Sequence, residues 1–96
     1  MSELTVTAKF IIREDERETV KAELQKLIVP TRGEEGCLCY DLHQDTENEC
    51  ILFFYETWAT REFWNAHMET NHVKACLKAI EGKCVSVELG TLTKIC

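Results

Sequence analysis

The sequence predicts an α+β fold in which two helices cover one face of a four-stranded antiparallel sheet. Apolar and polar residues alternate with a period of two in several segments, which is typical of strands. Two intervening segments instead repeat apolar residues every three or four positions, which is typical of helices. The resulting order is strand, helix, strand, strand, helix, strand (βαββαβ). This is the split βαβ, or ferredoxin-like, arrangement.

The first strand is predicted over residues 4–12. Its apolar positions are separated by Thr5, Thr7 and Lys9 and are occupied by Leu4, Val6, Ala8 and Phe10. This alternation is the period-two pattern of a strand.

The first helix is predicted to follow Asp15. Asp15 with Glu18 three residues later is a capping-box pattern, in which side chains satisfy free backbone N–H groups of the first turn. Pro30 disfavours helical geometry at Val29 and is expected to end or kink the helix there. Four apolar residues form one stripe at positions i, i+4, i+7 and i+8, namely Val20, Leu24, Leu27 and Ile28.

The second and third strands are predicted to form a hairpin. Segment 37–44 alternates after a turn bracketed by Gly33 and Gly36, and the polar stretch 45–49 is prone to turn. The third strand, residues 50–58, is apolar on both faces, with Ile51, Phe53 and Tyr55 on one and Leu52, Phe54 and Trp58 on the other. A domain of this size has helices for only one of these faces. We therefore expect a second subunit to cover the other face, giving a homodimer.

The second helical region is predicted to begin at Thr60, a favourable N-cap residue. Thr70 and Asn71 predict a break and a new cap. The helix beyond them is expected to stop at Gly82, and its apolar residues are Val73, Cys76, Leu77 and Ile80. The last strand is predicted within residues 84–95, with Gly90 as a candidate bulge.

Length and composition indicate one ordinary globular domain over residues 1–96. The formal charge of −6, without a basic cluster, disfavours nucleic acid as a partner. No window is apolar enough to span a membrane, and the N-terminal residues do not resemble an export signal, so we expect a cytoplasmic protein. Small domains bury a limited share of their surface, which again favours self-association.

The six cysteines lack the spacing of a metal site, since no C-x-x-C pair occurs. In a strand, Cys37 and Cys39 would lie on one face, with no second pair near them. We predict free thiols, as is usual for proteins without an export signal.

His67 and His72 are the candidate catalytic residues, because imidazole exchanges protons near neutral pH. On one uninterrupted helix, two residues five positions apart would lie about 140° apart around the axis, whereas helical zinc pairs are four apart. With no third ligand at a matching spacing, we predict no metal. A break at residues 70–71 would allow both side chains to face one cavity. Otherwise they are ordinary surface or interface histidines.

Glu56 is the third candidate for proton transfer. It lies inside an otherwise aromatic strand, where a carboxylate needs a partner or a raised pKa. It would accept a proton or orient a histidine. The alternative is an ion pair with Arg61 or with an arginine of a second subunit.

Aromatic and apolar residues near these groups are candidates for the wall of a site for a flat aromatic ligand, with core packing as the alternative. They are Phe54, Tyr55, Trp58, Phe63, Trp64 and Met68. The sequence has no Gly-rich phosphate loop and no dinucleotide fingerprint, so we predict no cofactor.

Four segments in this order and spacing resemble the antibiotic biosynthesis monooxygenase superfamily, and especially its small quinol monooxygenases. They are IVPTR (28–32), EGCLCY (35–40), FYETW (54–58) and HMETNH (67–72). The resemblance extends over nearly the whole chain. It implies a homodimer in which two ferredoxin-like sheets pack into an α+β barrel, with a pocket in each subunit between sheet and helices.

The resemblance also implies an activity. Such proteins oxidise polycyclic phenols or quinols with molecular oxygen and without metal or flavin, because the deprotonated substrate itself supplies the electrons. His67 or His72 would take the phenolic proton, and Trp64 with the strand aromatics would wall the pocket. We therefore expect a small aromatic substrate, molecular oxygen and no cofactor.

Function varies within this superfamily. The haem-degrading branch has an asparagine in its first strand, which is absent here. Alignment on Trp58 places His67 and Leu77 where that branch has its tryptophan and its haem-ligating histidine. Haem degradation is therefore not expected.

Two alternatives stay open. One branch isomerises a phosphorylated sugar and shares the H-x-x-T-x-H pattern that starts at His67. An isomerase or lyase acting on a small phosphorylated metabolite would need a cationic phosphate anchor, for which Arg32, Arg61 and Lys74 are candidates. The other alternative is a non-catalytic dimeric protein that binds a small molecule.

Overall fold

The computed structural model describes residues 3–96 and has the predicted α+β, ferredoxin-like architecture. Met1 and Ser2 of the predicted domain lie outside the described residues. The elements are β1 (Leu4–Ile12), a 3-10 turn (Glu14–Glu16), α1 (Arg17–Gln25), α2 (Ile28–Arg32), β2 (Cys37–Gln44), β3 (Ile51–Trp58), α3 (Arg61–Met68), α4 (Asn71–Ala79) and β4 (Cys84–Leu92). The sheet order is β2-β3-β1-β4, and all neighbours are antiparallel.

The core lies between one face of this sheet and the helices. Along β1 every second residue is buried, as the alternation predicted. In β3 the buried positions are the even-numbered ones, which face the helices, and these include Phe54 and Trp58. The helices add the predicted apolar residues Val20, Leu24 and Val73 to the same core.

The first helical region differs from the prediction at both ends. The chain forms a 3-10 turn before α1, and no side chain caps α1, so the capping box of Asp15 and Glu18 is wrong. Glu18 instead accepts a hydrogen bond from Arg17 at 3.2 Å. The helix ends at Gln25, before Pro30, which lies inside the short helix α2. Because proline has no N–H to bond the carbonyl four residues earlier, the interruption occurs one turn before the proline itself.

The β2–β3 hairpin has the predicted strands and turn. The carboxylate of Asp45 accepts hydrogen bonds from the backbone N–H groups of Glu47 and Asn48 at 3.0 and 2.9 Å, which fixes the turn. A register shift separates Cys37, opposite Trp58, from Cys39, opposite Thr57. The two cysteines therefore lie on different faces of the sheet, and the prediction that they share one face is wrong. All six cysteines are free.

The second helical region follows the sequence prediction closely. The hydroxyl of Thr60 accepts a hydrogen bond from the N–H of Phe63, and Thr70 caps α4 in the same way through Val73. In β4, the irregularity of pairing falls opposite Ile11 and Ile12 rather than at Gly90, which pairs regularly with Thr7. The prediction of a bulge at Gly90 is therefore wrong, since the irregularity lies at the start of β4.

The second face of the sheet carries apolar side chains without helices over it. Tyr55 is exposed there, and Ile51 and Phe53 are only partly buried. This is the face for which a second subunit was predicted, and the homodimer stays a prediction. Within residues 3–96, no helix has both the length and the apolar character that crossing a membrane requires.

Candidate active site

A cavity of about 120 Å³ lies between the sheet and helices α1, α3 and α4. Most of its wall is apolar and comes from all of these elements. Three titratable oxygen or nitrogen side chains also line it, namely Tyr40 from β2, Glu56 from β3 and His67 from α3. The cavity therefore combines an apolar interior with a small set of groups that can exchange protons or hydrogen bonds.

His67 lies near the end of α3 and packs between aromatic side chains. Its ring lies 4.8 Å from the ring of Trp58 and 5.5 Å from that of Tyr40, measured between centroids. The residue is only 3% exposed. Its carbonyl accepts hydrogen bonds from the hydroxyl of Thr70 at 2.7 Å and from the N–H of the same residue at 3.1 Å. The break between α3 and α4 thus fixes the helix end that carries the imidazole.

Glu34 joins the two candidate histidines. Its Oε2 lies 2.9 Å from Nδ1 of His67 and 2.6 Å from Nε2 of His72. A carboxylate only accepts hydrogen bonds, so each of these nitrogens carries the hydrogen. For neutral His67 this leaves Nε2 unprotonated. Because Nδ1 is engaged by Glu34, Nε2 is the nitrogen available to a molecule in the cavity.

Glu34 is a site residue that the sequence did not predict. The residue lies in the turn before β2, which is held against the start of α3 by a hydrogen bond from the N–H of Ala59 to the carbonyl of Gly36 at 2.8 Å. Nothing in the local sequence distinguishes Glu34 from Glu35, which is exposed. Only the packing of this turn beside α3 and α4 makes one of the two glutamates a partner of both histidines.

The same three side chains have the composition of a metal site. One potential ligand atom from each of Glu34, His67 and His72 lies within 4.8 Å of the others. Metal bonds of about 2.0–2.2 Å would hold such atoms about 3 Å or more apart. The separations of 2.6 and 2.9 Å are those of hydrogen bonds. The arrangement is therefore that of a hydrogen-bonded triad, and the absence of a metal stays a prediction.

The environment of His67 favours the neutral imidazole. Burial lowers the pKa of His67 from its usual 6.5, and this effect exceeds the opposing influence of Glu34. At neutral pH the ring is therefore a proton acceptor through Nε2. Burial also raises the pKa of Tyr40, so its hydroxyl stays protonated and can donate a hydrogen bond.

Glu56 is buried and accepts a hydrogen bond from the indole N–H of Trp58 at 2.9 Å. Burial raises the pKa of Glu56 from 4.5 to about 7, although the bond from Trp58 opposes this shift. Arg61 is not its partner, since the guanidinium lies over the ring of Trp64 at 5.9 Å. The alternative of an ion pair between Glu56 and Arg61 is therefore wrong, whereas a pair with an arginine of a second subunit stays an expectation. Glu34, not Glu56, orients the histidines.

The predicted wall residues divide into two groups. Phe54, Trp64 and Met68 line the cavity. Trp58 packs beneath His67, and Phe63 packs against the core beside Gly36.

Tyr55 and His72 lie outside the cavity. Tyr55 is exposed on the opposite face of the sheet, so the structure does not place it in the wall. His72 lines a separate surface depression, reaches the site only through Glu34 and is partly exposed.

Comparison with known proteins identifies the family. The model of the family described as antibiotic biosynthesis monooxygenase (ABM) matches residues 4–79. The chain belongs to the ABM family. It is 36% identical over 72 residues to "Putative monooxygenase Rv0793" of Mycobacterium tuberculosis, a match that covers 74% of this chain and 69% of that protein. These relationships support a monooxygenase-type role for this ABM protein.

Solved structures share the whole fold. The structure of PA3566 from Pseudomonas aeruginosa is 28% identical with a TM-score of 0.95, covering 100% of this chain and 97% of that one. The structure of Rv0793 is 27% identical with a TM-score of 0.92, covering 98% and 96%. The ABM fold expected from the four sequence segments is thus confirmed.

The cavity of this ABM protein offers no phosphate anchor. Among residues 3–96, no lysine or arginine lines it. Arg32 instead binds Asp41 and the carbonyl of Tyr40 at 2.9 and 3.1 Å, and Lys74 pairs with Glu69 at 3.1 Å. The geometry therefore does not favour an isomerase acting on a phosphorylated metabolite.

Replacing Glu56 by glutamine is expected to change how stability depends on pH. Because the pKa of Glu56 is raised on folding, its contribution is fully present below about pH 4.5 and is lost as the pH rises through about 7. Relative to the Gln variant, the natural protein should lose roughly 3 kcal/mol of unfolding free energy between these values. Urea unfolding from pH 4.5 to 8 measures this, with Glu88→Gln at an exposed position as the control. Parallel curves for the natural protein and Glu56→Gln would contradict the raised pKa.

Proposed function

We propose that this ABM protein is a monooxygenase that oxidises a small phenol or quinol with molecular oxygen, without metal or flavin. The observation that carries the proposal is the pair formed by Glu34 and His67 at a cavity with a mostly apolar wall. A carboxylate that fixes the tautomer of a buried histidine makes the second ring nitrogen a general base. Removing a proton from the substrate is the chemistry that this pair can supply.

The first step is proton transfer from a ring hydroxyl to Nε2 of His67. The imidazolium formed is stabilised through Nδ1–H by the carboxylate of Glu34, at a hydrogen-bond distance of 2.9 Å. His72, which binds the same oxygen and is partly exposed, connects this carboxylate with the solvent. The hydroxyl of Tyr40 is a donor that can hold the oxygen of the phenolate.

The phenolate then supplies the electrons. Transfer of one electron to oxygen gives a phenoxyl radical and superoxide, which combine at a ring carbon that bears hydrogen, ortho or para to the hydroxyl. Loss of that hydrogen as a proton and cleavage of the O–O bond leave a carbonyl on the ring. The two protons removed from the substrate leave with the second oxygen atom as water. The balance is one phenol and one O₂ giving one quinone and one water.

The environment of the cavity suits this sequence of steps. An apolar wall excludes water, which would otherwise quench the radical pair and the peroxide. Glu56 lies in the same wall with its pKa raised to about 7, so a fraction of the carboxyl groups is protonated at neutral pH and can donate to the departing oxygen. The protein thus supplies a base, an acid and a dry site, and the substrate supplies the reducing power.

Oxygen consumption in ¹⁸O₂ tests the proposal, with methylhydroquinone and menadiol as one-ring and two-ring quinols and with a chelator present. We expect uptake above the protein-free rate with at least one quinol, and one ¹⁸O atom in each product molecule. Spontaneous oxidation also consumes oxygen, but it gives hydrogen peroxide and an unlabelled quinone. Unlabelled product with both quinols, at the protein-free rate, would reject the monooxygenase and favour a protein that only binds its ligand.

We also propose that the protein is a homodimer joined through the face of the sheet that carries Tyr55. Apolar side chains lie on that face without helices to cover them. Light scattering at micromolar concentration should give about twice the chain mass of 11.1 kDa. Tyr55→Glu should shift the protein toward the monomer, whereas Asn65→Glu on the exposed side of α3 should not. A native mass of one chain would contradict the dimer.

A further inference from the structure

We infer that the substrate is a single aromatic ring with an apolar tail, rather than a fused polycyclic molecule. The inference rests on the proposed function and specifies its substrate class. It is carried by three features of the cavity, namely its volume, the placement of its polar groups and the way in which its wall continues to the surface.

The volume limits the ring system. The cavity holds about 120 Å³. An apolar protein cavity of about 150 Å³ accommodates one benzene molecule. One six-membered ring therefore fits with little displacement of the wall, whereas a second fused ring requires side chains to move. Close-packed interiors resist such movement.

The polar groups limit the substituents. Tyr40, Glu56 and His67 are the only titratable oxygen or nitrogen groups among the described residues that line the cavity. These three groups can form hydrogen bonds with the hydroxyl groups on the ring of the substrate. The rest of the wall is apolar and would leave any additional polar substituent without a hydrogen-bond partner. A tail on this ring must therefore be apolar.

The wall of the cavity continues onto the surface through an apolar rim of three side chains. Leu77, Val87 and Leu89 line the cavity and are nevertheless 47%, 46% and 55% exposed. Val87 and Leu89 pair with the buried residues Phe10 and Ala8, so they point toward the helix layer. The helices leave this part of β4 uncovered. A tail that leaves the cavity would lie on this rim.

Calorimetric binding of simple phenols in the absence of oxygen tests the inference without turnover. The natural protein is titrated with phenol, 4-pentylphenol and 2-naphthol. Burial of part of a pentyl chain should make 4-pentylphenol bind at least about 10-fold more tightly than phenol. We expect 2-naphthol to bind at least about 10-fold more weakly than 4-pentylphenol, because a rigid second ring exceeds the volume of about 120 Å³ and must displace side chains of the wall. Equal or tighter binding of 2-naphthol would overturn the inference.

Two variants assign these preferences to the cavity and to the rim. Met68→Ala enlarges the cavity and should improve 2-naphthol binding several-fold, whereas Leu42→Ala, outside the cavity, should not. Leu89→Gln should weaken binding of 4-pentylphenol about 5-fold and that of phenol by less, since most of the apolar contact it removes lies on the exposed rim. Val85→Gln, exposed on the same strand but outside the wall, is its control. If Leu89→Gln leaves 4-pentylphenol binding unchanged and instead halves the native mass, a second subunit covers the rim and the inference is wrong.

Failure of the inference and failure of the proposed function are distinguishable. Tight binding of 4-pentylphenol, without ¹⁸O incorporation into pentylhydroquinone, would support the ligand class and reject the oxidation. Incorporation of ¹⁸O into menadiol at a higher kcat/KM than into pentylhydroquinone would support the oxidation and reject the single ring.

Discussion

Replacing His67 by glutamine is expected to lower kcat/KM for oxygen consumption by about 100-fold or more. General-base catalysis contributes about 10²- to 10⁴-fold, and glutamine has no nitrogen that accepts a proton near neutral pH. The comparison uses the quinol that the natural protein oxidises, with the protein-free rate subtracted. His43→Gln is the matched control, because His43 is exposed on β2 and does not line the cavity. A native rate in His67→Gln would remove the base from the mechanism.

The pH profile distinguishes a base from a residue that only fills space. Because burial lowers the pKa of His67 below 6.5, the free enzyme should gain activity as the pH rises through a value below 6.5. The residual activity of His67→Gln should lack this rise with pH. A profile of unchanged shape in the variant would show that another group titrates.

Glu34 is expected to support catalysis by fixing the tautomer of His67. Glutamine at this position can donate its amide N–H to Nδ1 of His67, which would place the ring hydrogen on Nε2 and leave no base toward the cavity. Glu34→Gln should therefore lose most of the activity that His67→Gln loses, although the imidazole remains. Glu35→Gln makes the same carboxylate-to-amide change at the neighbouring exposed residue and should keep the native rate.

The double variant of Glu34 and His67 completes the comparison. If the carboxylate acts through the imidazole, the two losses should not add, and the double variant should resemble His67→Gln alone. Additive losses would mean that Glu34 contributes in another way. Full activity in Glu34→Gln would show that the tautomer of His67 is set by other contacts.

The strands and the second helical region could be predicted because their signals are local. The alternation of β1 and the caps at Thr60 and Thr70 depend only on neighbouring residues, and the structure has them as predicted. The prediction for the start of the first helical region was wrong for a local reason as well. A capping-box pattern at Asp15 competed with a 3-10 turn, and the turn satisfied the backbone without the side chains.

The site could be predicted only in part, because it joins segments that are far apart in the sequence. Glu34 and His67 are separated by 33 positions, and no pattern within either segment indicates their contact. Tyr55 is a different case. Alternation along β3 already places it opposite to Phe54 and Trp58, so a wall that contains all three is inconsistent with the period of a strand. Glu56 shares the even-numbered face of β3 with Phe54 and Trp58, so the same alternation predicts its burial.

Gly36→Ala is expected to destabilise the protein by about 3 kcal/mol or more, which would lower Tm by about 15 °C. Gly36 has a φ of 82°, a conformation that costs an L-residue roughly 1–2 kcal/mol. A Cβ atom there would also overlap the ring of Phe63 and would lie 2.6 Å from its Cβ. Movement of a flexible side-chain end cannot relieve a contact so close to the backbone. The helix α3 would have to shift. Thermal and urea unfolding measure the loss.

Gly82→Ala separates the two causes, because Gly82 has a φ of 77° but no atom within 4 Å of the position of an added Cβ. This variant should lose only the cost of the left-handed backbone conformation, roughly 1–2 kcal/mol. The difference between the variants then measures the contact with Phe63. Since α3 carries both Phe63 and His67, the shift in Gly36→Ala should also lengthen the bond to Glu34 and lower activity below the melting temperature. Equal stabilities of the two variants would mean that the turn before β2 yields without moving α3, and activity should then survive in both.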